Sequence, residues 1–325
     1  MVLAGDVGGT KTLLAVFDTA AITIVRETTL PSRELESLES AVEAFLLGAP
    51  RIKVDGGCTG VAGPVMDGRC VATNLPWVVD ERHLAAAAGA PVKLINDLEA
   101  TAHGVLTLPA DKFLVLQAGT PEPEGNVALI AAGTGLGQAL VVRDGQGYRV
   151  VPSEGGHASF APADELQVDL LRSLRVEFGH VSWERLLSGP GLANIYHFLQ
   201  ARLEHAAPDW LRARLQREDP GAVIGEVALA GRDPVCVEAL DLFVSIYGAQ
   251  AGNLALETLA LGGLVVGGGI APKIKTKLAD GRFMAAFRAK GRMEPLLASM
   301  SVKAALEPRA GLLGAAHVAS ELRKT

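Results

Sequence analysis

Two glycine-bearing turns set between short apolar strands limit the folds open to this chain. The first is Asp6-Val7-Gly8-Gly9-Thr10, and the second, 127 residues further on, is Gly133-Thr134-Gly135-Leu136-Gly137. At such turns backbone N–H groups can approach a bound anion closely, because no side chain stands in the way. Either turn alone also reads as an ordinary hairpin. Together they predict a repeated strand–turn–strand opening, and hence two α/β lobes facing a cleft.

The length agrees, since 325 residues exceeds the roughly 100 to 200 of a single domain. Hydrophobic residues make up 49% and charged residues 20%, a globular balance with enough apolar material for a sizeable core. A formal charge of −6, with no long run of Lys and Arg, leaves nothing to neutralise a phosphate backbone. Nucleic acid is therefore not expected as a partner. Cys58, Cys70 and Cys236 lack CxxC spacing and read as reduced core thiols. The N-terminus lacks a basic segment followed by a long apolar one, and the apolar run 259–272 falls short of the roughly 20 residues of a membrane span. A cytoplasmic protein without membrane association is expected.

Strand character is expected at 2–4, 12–18, 21–28, 51–61 and 91–95, and again on both sides of the second turn over 127–142. Helical spacing is expected at 35–47, 80–88, 98–106, 164–178, 192–203, 234–261, 284–291 and 311–322. Asn96-Asp97 thus falls where a strand ends and a helix begins, the edge at which ligands gather in open α/β sheets. A carboxylate held there can take the proton of a sugar hydroxyl as that oxygen attacks phosphorus, and Asn96 offers both donor and acceptor. The same pair also suits a helix N-cap.

Three further stretches carry candidate chemistry. Ser153-Glu154-Gly155-Gly156-His157 and Trp183-Glu184-Arg185 supply carboxylates and an imidazole suited to paired sugar hydroxyls, though turn salt bridges use the same residues. Val265-Val266-Gly267-Gly268-Gly269-Ile270 runs a strand into three glycines, where backbone can lie against a flat adenine or ribose. Beside the first turn, Asp6 can hold a hydrated Mg²⁺ and Thr10 can donate a hydroxyl.

Taken in order, these motifs make the chain resemble the bacterial glucokinase family of the hexokinase–actin superfamily, over nearly its whole length. GDVGGTKT resembles the family's first phosphate motif, TNLPW at 73–77 its sugar-side loop, LINDLEA its catalytic segment and AGTGLGQA its second phosphate motif. SEGGHASFAP and GHVSWERLLSGPGL are the most specific matches. The resemblance implies a two-lobed, actin-like ATPase (ribonuclease H-like) α/β fold, with a small lobe of 1–108 plus 304–325 and a large lobe of 109–303.

It also implies an ATP-dependent hexose kinase that moves the γ-phosphoryl of Mg·ATP to the 6-hydroxyl of glucose. Asp97 would be the base, with Asn74, Asn96, Asp97, Glu154, His157 and Glu184 on the sugar, Glu184 toward its anomeric end. Asp6, Gly8, Gly9, Thr10, Lys11, Gly133, Thr134 and Gly135 would serve the nucleotide phosphates, and Gly267, Gly268 and Gly269 its adenosine. Asp6 would act on Mg²⁺ through water. A homodimer is implied, and sugar binding is expected to draw the lobes together.

Lys11-Thr12 after GGT is more like the broader repressor, open reading frame and kinase group. That group's zinc cysteines find no counterpart between Cys70 and Cys236, so structural zinc is not expected. The rival readings are a kinase for mannose, fructose or an N-acetylated amino sugar, a sugar-responsive repressor, and a chaperone-like ATPase. A repressor would need a helix-turn-helix module, for which no room is expected ahead of Asp6.

Overall fold

The computed structural model describes residues 1–19, 23–48, 50–72, 75–143, 145 and 147–322. The chain opens with β1 (Val2–Val7), β2 (Lys11–Asp18), β3 (Thr23–Pro31), α1 (Leu38–Leu47), β4 (Gly57–Val61), β5 (Val65–Met66), β6 (Arg69–Val71) and β7 (Val78–Asp80). Next come α2 (Glu81–Ala88), β8 (Val92–Asn96), α3 (Asp97–Thr107), β9 (Phe113–Gln117), β10 (Val127–Ala132), β11 (Leu136–Arg143) and β12 (Tyr148–Ser153). A helical stretch follows, α4 (Glu165–Phe178), α5 (Gly189–Arg202), α6 (Asp209–Arg217), α7 (Pro220–Leu229) and α8 (Pro234–Glu257). The chain closes with β13 (Gly263–Gly267), α9 (Lys275–Leu278), α10 (Arg282–Arg288), α11 (Glu294–Ser299), β14 (Val302–Ala305) and α12 (Ala310–Leu322).

Contacts divide the chain into two compact units, Met1–Ala110 with Glu307–Thr325, and Asp111–Leu306. The main sheet of the first unit has the order β3-β2-β1-β4-β8, and that of the second β12-β11-β10-β13-β14-β9. Set β9 aside and the two sheets read alike. In each, three antiparallel strands lead into two parallel ones, β1 with β4 and β8 in the first, β10 with β13 and β14 in the second. The repeat glimpsed in the two glycine turns is thus a repeat of whole sheets. This doubled ribonuclease H-like sheet is the α/β architecture expected of an actin-like ATPase.

In the first unit the sheet is covered on both faces. Along β1 the side chains alternate with the strand period of two, so Leu3 and Val7 join the cluster under α1 and α2 while Val2 and Ala4 join the one under α12. All five residues of β4 are buried, as a parallel strand between two helical layers requires. The expected strand 51–61 forms only at Gly57–Val61. Ahead of it, Asp55 is tied to the chain's first residue, its carboxylate 2.8 Å from the Met1 ammonium and its N–H on the Met1 carbonyl.

Backbone meets backbone where α3 crosses α12. A methyl on Gly104 would overlap the carbonyl oxygen of Ala310, and one on Gly314 the carbonyl oxygen of Ala100. Two glycines therefore set how close these helices lie, and each helix starts beside a candidate site residue. Asp97 is the first residue of α3, and a methyl on Gly311, in the first turn of α12, would stand 3.0 Å from the Asp6 carboxylate.

The second unit is built around α8, whose Tyr247 ring meets Phe243 and Phe283 edge-on. By length and composition α8 could cross a membrane, yet 72% of its most apolar stretch is buried inside the protein, as befits a core helix. It ends at Glu257, short of the expected residue 261, because the chain turns at Leu259 with a φ of 44°.

Asp233 caps the start of α8, accepting the Cys236 N–H at 2.9 Å and standing 2.9 Å from His205 Nε2. Burial pushes this carboxyl up, but the Cys236 N–H and His205 outweigh it and hold its pKa below the usual range. A depressed carboxyl pKa contributes stability above the unfolded value of about 3.9 and loses it as pH falls through the folded one. Asp233→Ala is therefore expected to cost about 1 to 3 kcal/mol near neutral pH. Urea unfolding should show the gap from wild type narrowing once pH drops below about 4.

Candidate functional site

In the first unit the candidate residues line one edge of the sheet. The parallel register pairs Val7 with Val61 and Val61 with Asn96, so the Gly8 turn and Asn96-Asp97 leave the same carboxyl edge, two strands apart. At one strand spacing each, that is about 10 Å.

The turn itself is pinned from below. Gly8 N–H donates to the Lys11 carbonyl at 3.0 Å, and the buried Ser32 hydroxyl donates to the Gly8 carbonyl at 2.7 Å. Ser32 Oγ lies 2.9 Å from Thr12 Oγ1, also buried. Gly8 and Gly9 are half-buried, and the Thr10 and Lys11 side chains are exposed. Sequence reading missed Ser32, because nothing local marks a serine that acts 24 residues away.

Asp6 is half-buried at the end of β1. Burial pushes its pKa up and nearby Lys11 draws it back. An oxygen donor whose negative charge is costly in its surroundings fits a hard cation such as Mg²⁺.

At the other end of this edge Asn96, not Asp97, caps α3. Its Oδ1 accepts from Leu98 N–H at 2.8 Å and Glu99 N–H at 3.4 Å, while its Nδ2 donates to the Gly63 carbonyl at 2.9 Å. Asp97 follows as the first helical residue, half-buried, with Oδ1 accepting the Leu98 N–H at 3.0 Å. The first turn of a helix is a favourable place for a carboxylate.

The second unit gathers more. The turn Gly133-Thr134-Gly135 joins β10 to β11, closed by Gly133 N–H on the Gly135 carbonyl at 2.8 Å, with the Thr134 side chain exposed. Glu184 lies against this turn. Its Oε2 accepts the Leu136 N–H at 2.9 Å, and it sits so close to Gly135 that a methyl there would overlap it.

Glu184 Oε1 stands 3.9 Å from His157 Nδ1, and His157 Nε2 stands 3.7 Å from Glu154 Oε2. These three side chains keep 32%, 55% and 62% of their surface exposed for Glu184, His157 and Glu154 respectively, so the cluster faces solvent. Behind it the Trp183 ring is buried edge-on against Phe160, and the Trp183 backbone N–H donates to the Ala158 carbonyl at 3.0 Å, fastening the Glu184 segment to the His157 one.

Gly267–Gly269 reach the same edge of the second sheet. Gly267 pairs with Ala131 in the parallel ladder, and Ile270 N–H donates to the Ala132 carbonyl at 3.2 Å. Gly268 has a φ of 82° and its α-carbon faces the Ala132 carbonyl, so a side chain is excluded on both counts. Gly269 is exposed and a methyl there would meet nothing within 4 Å. Among the expected site residues, Asn74 lies outside the described residues.

Comparison with known proteins decides the family. The family model described as Glucokinase matches residues 3–322. The chain belongs to the glucokinase family. It is thereby an ATP-dependent hexose kinase, a phosphotransferase. A glucokinase from Nostoc sp. is 41% identical over 340 residues, covering 99% of each chain. A crystal structure of a glucokinase from an Antarctic psychrotroph superposes with a TM-score of 0.81 at 34% identity, covering 100% of this chain and 99% of that one. A glucokinase of the repressor, open reading frame and kinase family from Streptomyces griseus, solved with glucose and AMPPNP, gives a TM-score of 0.70 at 25% identity, covering 98% and 99%. Both branches weighed on the GGTK sequence are thus represented among the chain's relatives.

Proposed function

We propose that this chain transfers the γ-phosphoryl of Mg·ATP to the 6-hydroxyl of glucose, releasing glucose 6-phosphate and ADP. One observation carries the reading beyond family membership. Glu184 accepts the Leu136 N–H, just after the Gly133–Gly135 turn, with one oxygen and faces His157 with the other, so a cluster suited to hydroxyls adjoins a turn suited to phosphate. A substrate pair made of a polyol and a polyphosphate matches that chemistry.

Glu154, His157 and Glu184 would hold the sugar hydroxyls, as would Asn96 and Asn74. The backbone N–H groups at Gly8–Gly9 and Gly133–Gly135 would receive phosphate oxygens, joined by the hydroxyls of Thr10 and Thr134 and the Lys11 ammonium. Gly267–Gly269 would lie along the adenosine. Asp6 would hold Mg²⁺ through water, and the ion, when bound, supplies charge neutralisation to the phosphates.

Asp97 takes the proton of the 6-hydroxyl as that oxygen bonds to the γ-phosphorus and the bond from phosphorus to the β,γ-bridging oxygen breaks. The proton ends on the Asp97 carboxyl and ADP leaves with the electron pair. Most of the acceleration in such a transfer comes from positioning and charge stabilisation.

The free, buried Cys58, Cys70 and Cys236 support a reducing compartment such as the cytoplasm, and the family resemblance supports a homodimer, which sedimentation equilibrium would test. Substrate is tested by ADP release from Mg·ATP across glucose, mannose, fructose and N-acetylated amino sugars. Glucose is expected to give the highest kcat/KM. Release at one rate with or without sugar, or a preference for an N-acetylated sugar, would contradict the assignment.

A further inference from the structure

We propose that the Tyr247 hydroxyl is a positioning group for the nucleotide, acting through the last residues of β10. Tyr247 is fully buried in the middle of α8. Its hydroxyl accepts the Ala132 N–H at 3.1 Å and donates to the Ile130 carbonyl at 3.3 Å. Ala132 is the residue immediately before the Gly133–Gly135 turn, and its carbonyl is held from the other side by Ile270 N–H at 3.2 Å.

The strand end that launches this turn is therefore fixed on its N–H by a side chain and on its C=O by the glycine-rich segment after β13. The phenol ring is independently locked by its edge contacts with Phe243 and Phe283, at centroid distances of 5.9 Å and 5.7 Å. Burial pushes the phenol pKa far above its usual value, so the group stays a neutral donor and acceptor at any working pH. A rigid ring holding one hydroxyl on a strand end is more than core packing needs, because a phenylalanine would fill the same volume.

The consequence is a division of labour. Loss of the hydroxyl frees the Ala132 N–H and loosens the turn at its start, while the Glu154–His157–Glu184 cluster, which meets the turn only at its far end through Glu184 and Leu136 N–H, keeps the backbone tie from Trp183 to Ala158. Nucleotide affinity should therefore suffer several-fold more than glucose affinity. This inference rests on the reading of Gly133–Gly135 as a phosphate-binding turn.

The experiment is calorimetric titration of the full-length chain, as wild type, Tyr247→Phe and Thr134→Ala, with Mg·ADP and, separately, with glucose. Tyr247→Phe is expected to weaken Mg·ADP binding about 5- to 10-fold, the effect of one lost hydrogen bond, and to raise the KM for ATP by a similar factor. Its glucose affinity should stay within about twofold of wild type, which also shows that the variant is folded. Unchanged Mg·ADP affinity in Tyr247→Phe, with Thr134→Ala weakened, overturns the role of Tyr247 alone. Equal losses for nucleotide and glucose in Tyr247→Phe overturn it too, as general destabilisation. Unchanged Mg·ADP affinity in both variants overturns the reading of the turn, and the Tyr247 inference with it.

Discussion

Replacing Asp97 by Asn is expected to lower kcat about 10²- to 10⁴-fold, roughly 3 to 5 kcal/mol of barrier, the usual cost of removing a general base. Glucose affinity should move by no more than one neutral hydrogen bond, about 1 kcal/mol. The substitution separates chemistry from structure cleanly. Asparagine keeps the volume and retains an oxygen for the Leu98 N–H, and the helix start is secured by Asn96, which is untouched. Steady-state kinetics and an equilibrium glucose titration on the same preparation read the two quantities. A variant with wild-type kcat would remove Asp97 from the reaction.

The largest effect on stability is expected at the crossing of α3 and α12. Gly104→Val or Gly314→Val would drive a branched side chain into a neighbouring carbonyl group, where backbone and not a flexible side chain must yield. Overpacking a core commonly costs about 1 to 3 kcal/mol, and a clash with helix backbone belongs above that, at about 4 kcal/mol or more. Thermal unfolding should fall by about 10 °C or more. Because α3 begins with Asp97 and α12 begins against Asp6, residual folded enzyme should also be slow. A melting curve within a degree or two of wild type would mean that the two helices do not meet through these glycines.

What sequence showed and what it hid follow from the range of the interactions concerned. The glycine turns were legible because a turn is a local event, and Asn96-Asp97 because strand and helix periods change there. By residue type either of the two could cap the helix, and the Leu98 and Glu99 N–H groups settle it for Asn96. Helices α1, α4, α8 and α12 were found to within a few residues, as their apolar spacing allows.

The short sheet β5-β6-β7 went unnoticed because strands of two or three residues carry no measurable period. β9 and β14 escaped for another reason, each finding its partner far along the chain. The supports of the site were hidden in the same way. Ser32 under the first turn, Tyr247 under the second, and the glycines of α12 all act across long sequence separations, and none belongs to a motif.

Phosphorus NMR of the product formed from glucose and Mg·ATP tests the central claim most directly. Proton coupling shows which oxygen carries the new phosphate. Coupling to the two C6 protons is the result predicted here. Phosphate coupled to the anomeric proton, or inorganic phosphate without any sugar ester, would contradict it.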